Sequence, residues 1–346
     1  MESSRNIYIP LLSIVVVEGV VEVKGGGIIV DEAVIDGYHN LKFRVATHIH
    51  SDHTVDLNRS ISYGSRIVGT SLTLKWLKCL GVQIPRSQYV PLGMDESIRL
   101  SNGRLRFESC LHIPGSVQVV YERDDGVRVV YTGDFKKPSV KTPVIDSDIL
   151  IIDAVYGRPD YVRPFDNDVE HILNSFVEKL LRNGPVHVYA YYGKIHEVML
   201  MLRENGVVAP FILPPTHYTM TRYAESSGLR IDDYLPLTSS EAEEIIRDKY
   251  YIYFNHYSNR FNEQYLDSSN PYRIVLSGWE FNKPIRRLSK RKWLIAFSDH
   301  SDFNGLVEYV KYSNPSKLIV NRRRSNGAYE FAKYVREKLN VEAEVR

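Results

Sequence analysis

Two cysteines, Cys79 and Cys110, are all that 346 residues carry. That excludes a disulfide framework and a zinc site built on thiolates; a single bridge between the two stays open. Long apolar runs are also missing, and none reaches the eighteen or so residues that a membrane-spanning helix needs. No basic leader with an apolar stretch behind it opens the chain, so the expectation is no signal peptide, a cytoplasmic location and no membrane partner. Net charge is only +2, so no global excess of one sign singles out a partner. No internal repeat occurs, and Gly193-Lys194 is not a phosphate loop because the GxxxxGK[ST] spacing is absent. Apolar residues make up 43% and charged residues 25%, the proportions of a soluble globular protein, and this length predicts two domains.

What the chain does have is a concentration of metal-binding side chains. Thr47-His48-Ile49-His50-Ser51-Asp52-His53 puts three histidines and one aspartate into six consecutive positions. Imidazoles and carboxylates are the groups that hold zinc and related divalent ions. Four of them on one loop can face two metal ions at once. Residues 41–46 alternate like a strand. The cluster is therefore expected as a loop at a strand end, where a sheet holds ligands in place.

Short strands dominate the first half. Residues 14–18, 20–23, 28–30, 104–109, 116–123 and 126–132 read as strands, with Asp124-Asp125-Gly126 as the turn joining the last two. Residues 71–77 read as a helix, and 148–153 as a buried strand ending in Asp153. The pattern then changes. Val169, Ile172, Leu173, Phe176, Val177 and Leu180 fall on one face of a helix over 168–181. A strand over 186–191 and a helix over 194–204 follow, which makes an α/β segment. Strands at 293–297 and 317–320 and helices at 303–310 and 327–338 close the chain.

Three further polar residues sit at the ends of such elements. His112 lies between two strands, Asp134 follows an apolar strand in Thr132-Gly133-Asp134-Phe135, and His300 lies just before a helix in Ser298-Asp299-His300-Ser301. Singly, each has an ordinary explanation as a hydrogen-bonded surface histidine or a turn aspartate. With residues 48–53 they form an ordered set of candidate ligands on rigid supports. Two basic runs, 283–292 and Arg322-Arg323-Arg324, read either as solvated faces or as phosphate tracks. Tyr189-Ala190-Tyr191-Tyr192 and Tyr250-Tyr251-Ile252-Tyr253 read as core aromatics, with base stacking as the alternative. His217 and His256 have no motif around them.

The ordered set resembles the metallo-β-lactamase fold: HIHSDH (48–53) resembles its first ligand motif, His112 its second, and Asp134 its bridging aspartate. Asp153-Ala154-Val155-Tyr156-Gly157 resembles the acidic motif A that opens the insert of the β-CASP nucleases. Ser277-Gly278-Trp279 resembles a segment near the end of that insert, and FSDHSDFNGL (297–306) resembles motif B. TGDFKKP, YGRPDYVRP, AYYGK and SDHSDFNGL are most similar to the DNA ligase-associated exonuclease branch, whereas HIPGS and Val320-Asn321 resemble the Pso2 and Artemis type of DNA-repair branch. The resemblance implies an α/β (α+β) protein, an αββα metallo-β-lactamase sandwich with an inserted α/β β-CASP domain. Residues 1–158 and 276–346 would be the two parts of the sandwich and 159–275 the insert.

The resemblance also implies roles. His48, His50 and His112 would hold a first Zn2+, Asp52 and His53 a second, and Asp134 would bridge them; Mn2+ or Mg2+ are alternatives. Two such ions ~3.5–4 Å apart trap a hydroxide that attacks phosphorus. Asp52, Asp153 and His300 are the expected catalytic residues, with His300 protonating the leaving oxygen and Asp153 orienting His300. Arg322, Arg323, Arg324, Lys290 and Arg291 are expected along a nucleic-acid cleft.

One departure matters. RNA-processing members carry a motif C histidine as a further ligand to the second metal; here Val320 or Asn321 fills the position, and no histidine follows His300. The second metal is therefore expected to bind more weakly, and DNA to be preferred over RNA. The expected function is a metal-dependent nucleic-acid phosphodiesterase, a DNA exonuclease acting on single strands. Its 5′→3′ polarity and a repair or ligase partner are implied by the resemblance alone. The alternatives are an RNA-processing endo- or exoribonuclease of the same family, a hydrolase of small esters or thioesters, and a non-catalytic nucleic-acid-binding protein.

Overall fold

The computed structural model describes residues 21–24, 27–261 and 270–346. The expected strand at 14–18, Val20 and Gly25-Gly26 lie outside the described residues. Short strands build two facing sheets. The first takes Val21–Lys24 (β1), Gly27–Val30 (β2), Ala33–Ile35 (β3), Phe43–Val45 (β4), Arg66–Gly69 (β5) and Tyr89–Pro91 (β6) in sequence order, with β3 to β6 parallel. Leu57–Tyr63 (α1) and Ser71–Cys79 (α2) cover its outer face through Leu57, Leu72, Leu74 and Trp76. Thr70 caps α2, its Oγ1 accepting from Thr73 N at 3.1 Å, which satisfies one orphan amide of the first turn.

Ser97–Arg99 (β7), Gly103–Ser109 (β8), Val117–Arg123 (β9), Arg128–Tyr131 (β10) and Ile149–Ile152 (β11) form most of the second sheet. In β9, Val117, Val119 and Tyr121 join Phe43, Val45 and Val68 of the first sheet in one core, while Val120 points to the opposite face. In β11, Ile149 and Ile151 face the first sheet, and Leu150 and Ile152 face away. Each such buried side chain contributes roughly 1.5–3 kcal/mol, and a one-residue slip would reverse both faces.

The chain then leaves the sandwich. Val169–Leu181 (α3), Val186–Ala190 (β12), Lys194–Glu204 (α4), Phe211–Leu213 (β13), Pro215–Glu225 (α5), Tyr234–Pro236 (β14), Ser240–Asp248 (α6), Ile252–His256 (β15), Tyr272–Leu276 (β16), Ile285–Ser289 (β17) and Lys292–Ile295 (β18) build a separate α/β layer. Its sheet runs β14-β13-β15-β12-β16-β18-β17, parallel except for β17. Because helices cover both faces, β12 reads as an unbroken buried run. The insert was expected over 159–275, yet β17 and β18 follow that boundary and belong to this sheet. Arg273 to Leu276 pairs with Lys292 to Ile295, so the layer continues to Ile295.

After Ile295 the chain rejoins the sandwich. Phe303–Ser313 (α7) and Ala328–Tyr334 (α8) cover the outer face of the second sheet, and Lys317–Val320 (β19) and Glu342–Val345 (β20) extend that sheet beside β11. The layers are helix, sheet, sheet, helix: an αββα sandwich carrying an α/β insert. The insert docks through α5, whose Met220 carbonyl accepts from Trp76 Nε1 at 2.8 Å. Cys79 and Cys110 are both free thiols. Among the described residues, no helix is long and apolar enough to cross a membrane.

Candidate metal centre

The candidate ligands converge at one end of the sandwich, each delivered by a strand end. β4 stops at Val45 and the chain turns into the 48–53 loop. Buried Arg44 in β4 ties that loop down, Nη2 donating to the His53 carbonyl at 2.8 Å. After β10, Gly133 adopts φ +53°, which a side chain would disfavour, and the turn places Asp134 against the loop. His112 lies between β8 and β9, with Nδ1 2.9 Å from the Asp299 carbonyl. His300 follows β18 and is pinned by its N–H donating to Ser298 Oγ at 3.0 Å.

Two donor groups that share Asp134 result, beside a third made of His112, Asp299 and His300. His48, His50, His112 and Asp134 form one, and Asp52, His53 and Asp134 the other, each with ligand atoms within 4.8 Å of one another. His50 Nδ1 lies 3.2 Å from His48 Nε2 and 3.1 Å from His112 Nε2. Asp134 Oδ2 lies 3.5 Å from His48 Nε2, 3.6 Å from His112 Nε2 and 3.2 Å from His53 Nε2. Asp52 Oδ2 is 3.5 Å from His53 Nε2. Ligands about 2.0–2.1 Å from a tetrahedral ion sit about 3.3 Å apart, so these separations fit a divalent metal in each group. The electrostatics agree. Burial, reinforced by neighbouring imidazoles, holds His48 well below its ordinary pKa, and burial takes His112 down to about 3. Both are neutral rings with lone pairs to offer. Asp134 Oδ1 and His53 Nε2 are buried with no hydrogen-bond partner among the described residues.

The second group is backed by a carboxylate. His53 Nδ1 lies 2.8 Å from Asp36 Oδ2, which leaves Nε2 facing Asp134. Asp36 in turn accepts from Thr47 N at 2.9 Å and Thr47 Oγ1 at 2.5 Å. Burial works against a charged His53, but Asp134 and Asp36 outweigh it and raise the pKa to about 10. Such outer carboxylates set the tautomer and orientation of a metal-binding histidine.

The structure does not bring every expected residue to the site. Asp153 is buried and accepts from the Tyr131 hydroxyl, and its charged neighbours are Arg324, His53 and Asp134 rather than His300. The carboxylates beside His300 are Asp134 and Asp299, and Asp299 Oδ1 lies 3.4 Å from His300 Nε2 and 3.0 Å from Lys194 Nζ. Arg324 was expected on the nucleic-acid cleft. It is 7% exposed and donates through Nη2 to the carbonyls of Asp36 and Asp52, the second at 2.7 Å, so it braces the ligand loop. Arg322 and Arg323 are exposed beside it. Lys290 and Arg291 were expected there too, but they lie at the N-terminal end of β18, whose C-terminal end leads to His300. The length of that strand, roughly 13 Å, separates them from the site side of the sheet.

An open cleft of about 680 Å3 lies over the two groups, with His50, Asp52, Asp134 and His300 on its surface. β12, β15, β16 and β18 are parallel and bring their C-terminal ends to it, supplying Tyr191, Tyr257, Trp279 and His300. Crevices at such strand ends are where open α/β sheets bind ligands. Sequence reasoning missed Asp36, Asp299 and Lys194. Only the adjacency of Asp299 to His300 was a local signal; the other two reach the site by long-range packing. Of the two tyrosine stretches, Tyr189, Tyr251 and Tyr253 are buried, while Tyr191 and Tyr192 line the cleft. His217 is buried, and His256 lines the cleft.

The layered fold with two donor groups sharing one aspartate defines a metallo-β-lactamase-type hydrolase. No family model matches the chain. It is 42% identical over 132 residues to a protein of Acidianus ambivalens described as an uncharacterized protein in the lig 3′ region, covering 38% of this chain and 94% of that one. It is 24% identical over 319 residues to a probable DNA ligase of Opitutus terrae (88% of this chain, 29% of that one) and 23% identical over 314 residues to the DNA cross-link repair protein SNM1 of Arabidopsis thaliana (81% and 60%). The chain thus spans under a third of that ligase and three fifths of that repair protein. It belongs to the β-CASP nuclease family of the metallo-β-lactamase superfamily.

Proposed function

We propose that the protein is a metal-dependent phosphodiesterase that cuts nucleic acid, with DNA favoured over RNA and exonucleolytic removal from single strands as its mode. The observation that carries this reading is the pairing of two donor groups through Asp134 with His300 at the mouth of the same cleft. His48, His50, His112 and Asp134 would hold one divalent ion, and Asp52, His53 and Asp134 a second. When bound, such ions supply Lewis-acid stabilisation of charge on phosphorus and a nucleophile at neutral pH.

The chain's own groups do the rest. His300 Nδ1 lies 3.6 Å from Asp134 Oδ1 and its Nε2 faces Asp299. Burial opposes its protonation, but the two carboxylates outweigh that and raise its pKa. A protonated imidazole is thereby held where it can give its proton to the leaving oxygen. Lys194 fixes Asp299, and Asp299 fixes His300. Similarity to proteins named as a DNA ligase and a cross-link repair protein supports DNA as substrate and a ligase or repair protein as partner. The 5′→3′ polarity belongs to the same reading.

The test is digestion of end-labelled single- and double-stranded DNA and RNA, with zinc or manganese, read as product lengths. Single nucleotides from single-stranded DNA, released first from the 5′ end, are the expected result. Mixed fragments would make it an endonuclease. Hydrolysis of small thioesters with every nucleic acid left intact would replace this reading with the small-ester one.

A further inference from the structure

The cleft in front of His300 is lined by rings rather than by cations. Lys194 is the one lysine or arginine among its described lining residues, and it already pairs with Asp299 at 3.0 Å. Leu77, Leu80 and Val82 make one wall apolar. Trp279 is braced edge-on by Tyr156 (centroids 5.0 Å apart, 75° between planes) and Tyr161 (5.8 Å, 88°), yet it is 53% exposed. Tyr156 also meets His300 edge-on at 6.0 Å, so Trp279 is one ring away from the candidate acid. Tyr191 stacks on Tyr257 (4.8 Å, 25°) and is 47% exposed. Its neighbour Tyr192 stacks on His256 (4.4 Å, 28°) and places its carbonyl 3.1 Å from His50 Nε2. Two sets of exposed rings, each fixed by other rings, thus lie over one metal-binding floor.

Rigid exposed aromatic faces beside a site that cuts phosphodiesters suit flat, apolar groups on the same substrate. The bases of an unpaired strand are such groups, and every base has a face to offer. A base inside a duplex has both faces covered by its neighbours. We propose that the site takes an unpaired strand and holds its bases by stacking on Trp279 and on the Tyr191–Tyr257 pair, not by laying its backbone along a basic track. The placement of Lys290 and Arg291 away from the cleft, and of Arg324 beneath the ligand loop, is consistent with this. The inference rests on the phosphodiesterase reading for the identity of the substrate, but not for the binding itself.

The test compares an oligodeoxythymidylate with an abasic strand of the same length. Binding of both to the full chain is measured in chelator, where cleavage is stopped, for the native sequence, Trp279→Ala, Trp279→Phe and Tyr191→Ala. The native chain should prefer the base-bearing strand by roughly 5- to 150-fold, the range of one base stack. Trp279→Ala and Tyr191→Ala should each weaken binding of that strand by a similar factor and leave the abasic strand unaffected. Trp279→Phe should keep most of the affinity, which also shows the pocket to be intact. Equal native affinities for the two strands, or equal losses on both strands in the alanine variants, would overturn the inference. Selective binding without cleavage in added metal would uphold the stacking site and reject the nuclease; cleavage without base preference would do the reverse.

Discussion

His53 donates through Nδ1 to Asp36, 17 residues earlier, at 2.8 Å, and both side chains are fully buried. This contact decides which nitrogen of His53 faces the second donor group. Replacing Asp36 by Asn keeps the volume but removes the charge and one acceptor oxygen. Asp36→Asn is expected to weaken the second metal by about 10- to 100-fold while the first binds unchanged. Calorimetric metal titration of the variant checks this; parallel loss at both sites would mean that Asp36 only holds the loop together.

The two groups should fill in order. The first has four donors, three of them imidazoles, whereas the second has three and relies on Asp52, whose side chain is 61% exposed. The Arg324 guanidinium, donating to the Asp52 carbonyl at 2.7 Å, adds a positive charge on that side. Titration with zinc should show two unequal steps. Two equally tight ions per chain would contradict the assignment.

His300 should matter for chemistry and not for metal. His300→Ala is expected to lower kcat on DNA by about 10²- to 10⁴-fold, with metal content unchanged. Loss of metal along with activity would instead make His300 a ligand, in the group it forms with His112 and Asp299.

Asp153 carries a pH signature. Burial raises its pKa to about 6, with Arg324 and His53 opposing and Asp134 assisting, and Tyr131 donates to it. The folded state therefore binds a proton that the unfolded state, with an ordinary carboxyl near 3.8, has released. The charged form costs nothing below the unfolded value and about 3 kcal/mol above pH 6. In chelated protein, the stability of the native sequence relative to Asp153→Asn should fall by about that amount as pH rises from 4 to 7. Denaturant unfolding at both pH values measures it; a flat difference would mean that Asp153 is ionised throughout.

Much of this architecture is legible in the sequence, for physical reasons. His48, His50, Asp52 and His53 are neighbours along the chain, so local order alone puts them together. β9 and β11 announce themselves as apolar runs and α3 by its helical spacing. Partners chosen by tertiary packing stay hidden. Nothing around Asp36 distinguishes it from a turn aspartate, and Lys194 meets Asp299 only because β12 and β18 flank β16 and all three end on the same edge of the sheet. Arg322, Arg323 and Arg324 read as one basic run, yet the short 3-10 turn they form sends Arg324 inward and its two neighbours out. The strong basic run at 283–292 is an exposed edge strand with its turn, where charge keeps the sheet from pairing with another chain.

The central claim is that the group on which His50 sits drives phosphodiester cleavage. The direct measurement is the rate of shortening of a 5′-labelled single-stranded oligonucleotide by the zinc- or manganese-loaded protein and by His50→Ala at equal concentration. The native protein should release nucleotides, and the variant should be slower by two orders of magnitude or more, about the loss expected when a catalytic charge is removed. A His50→Ala protein that keeps full nuclease activity would contradict the claim.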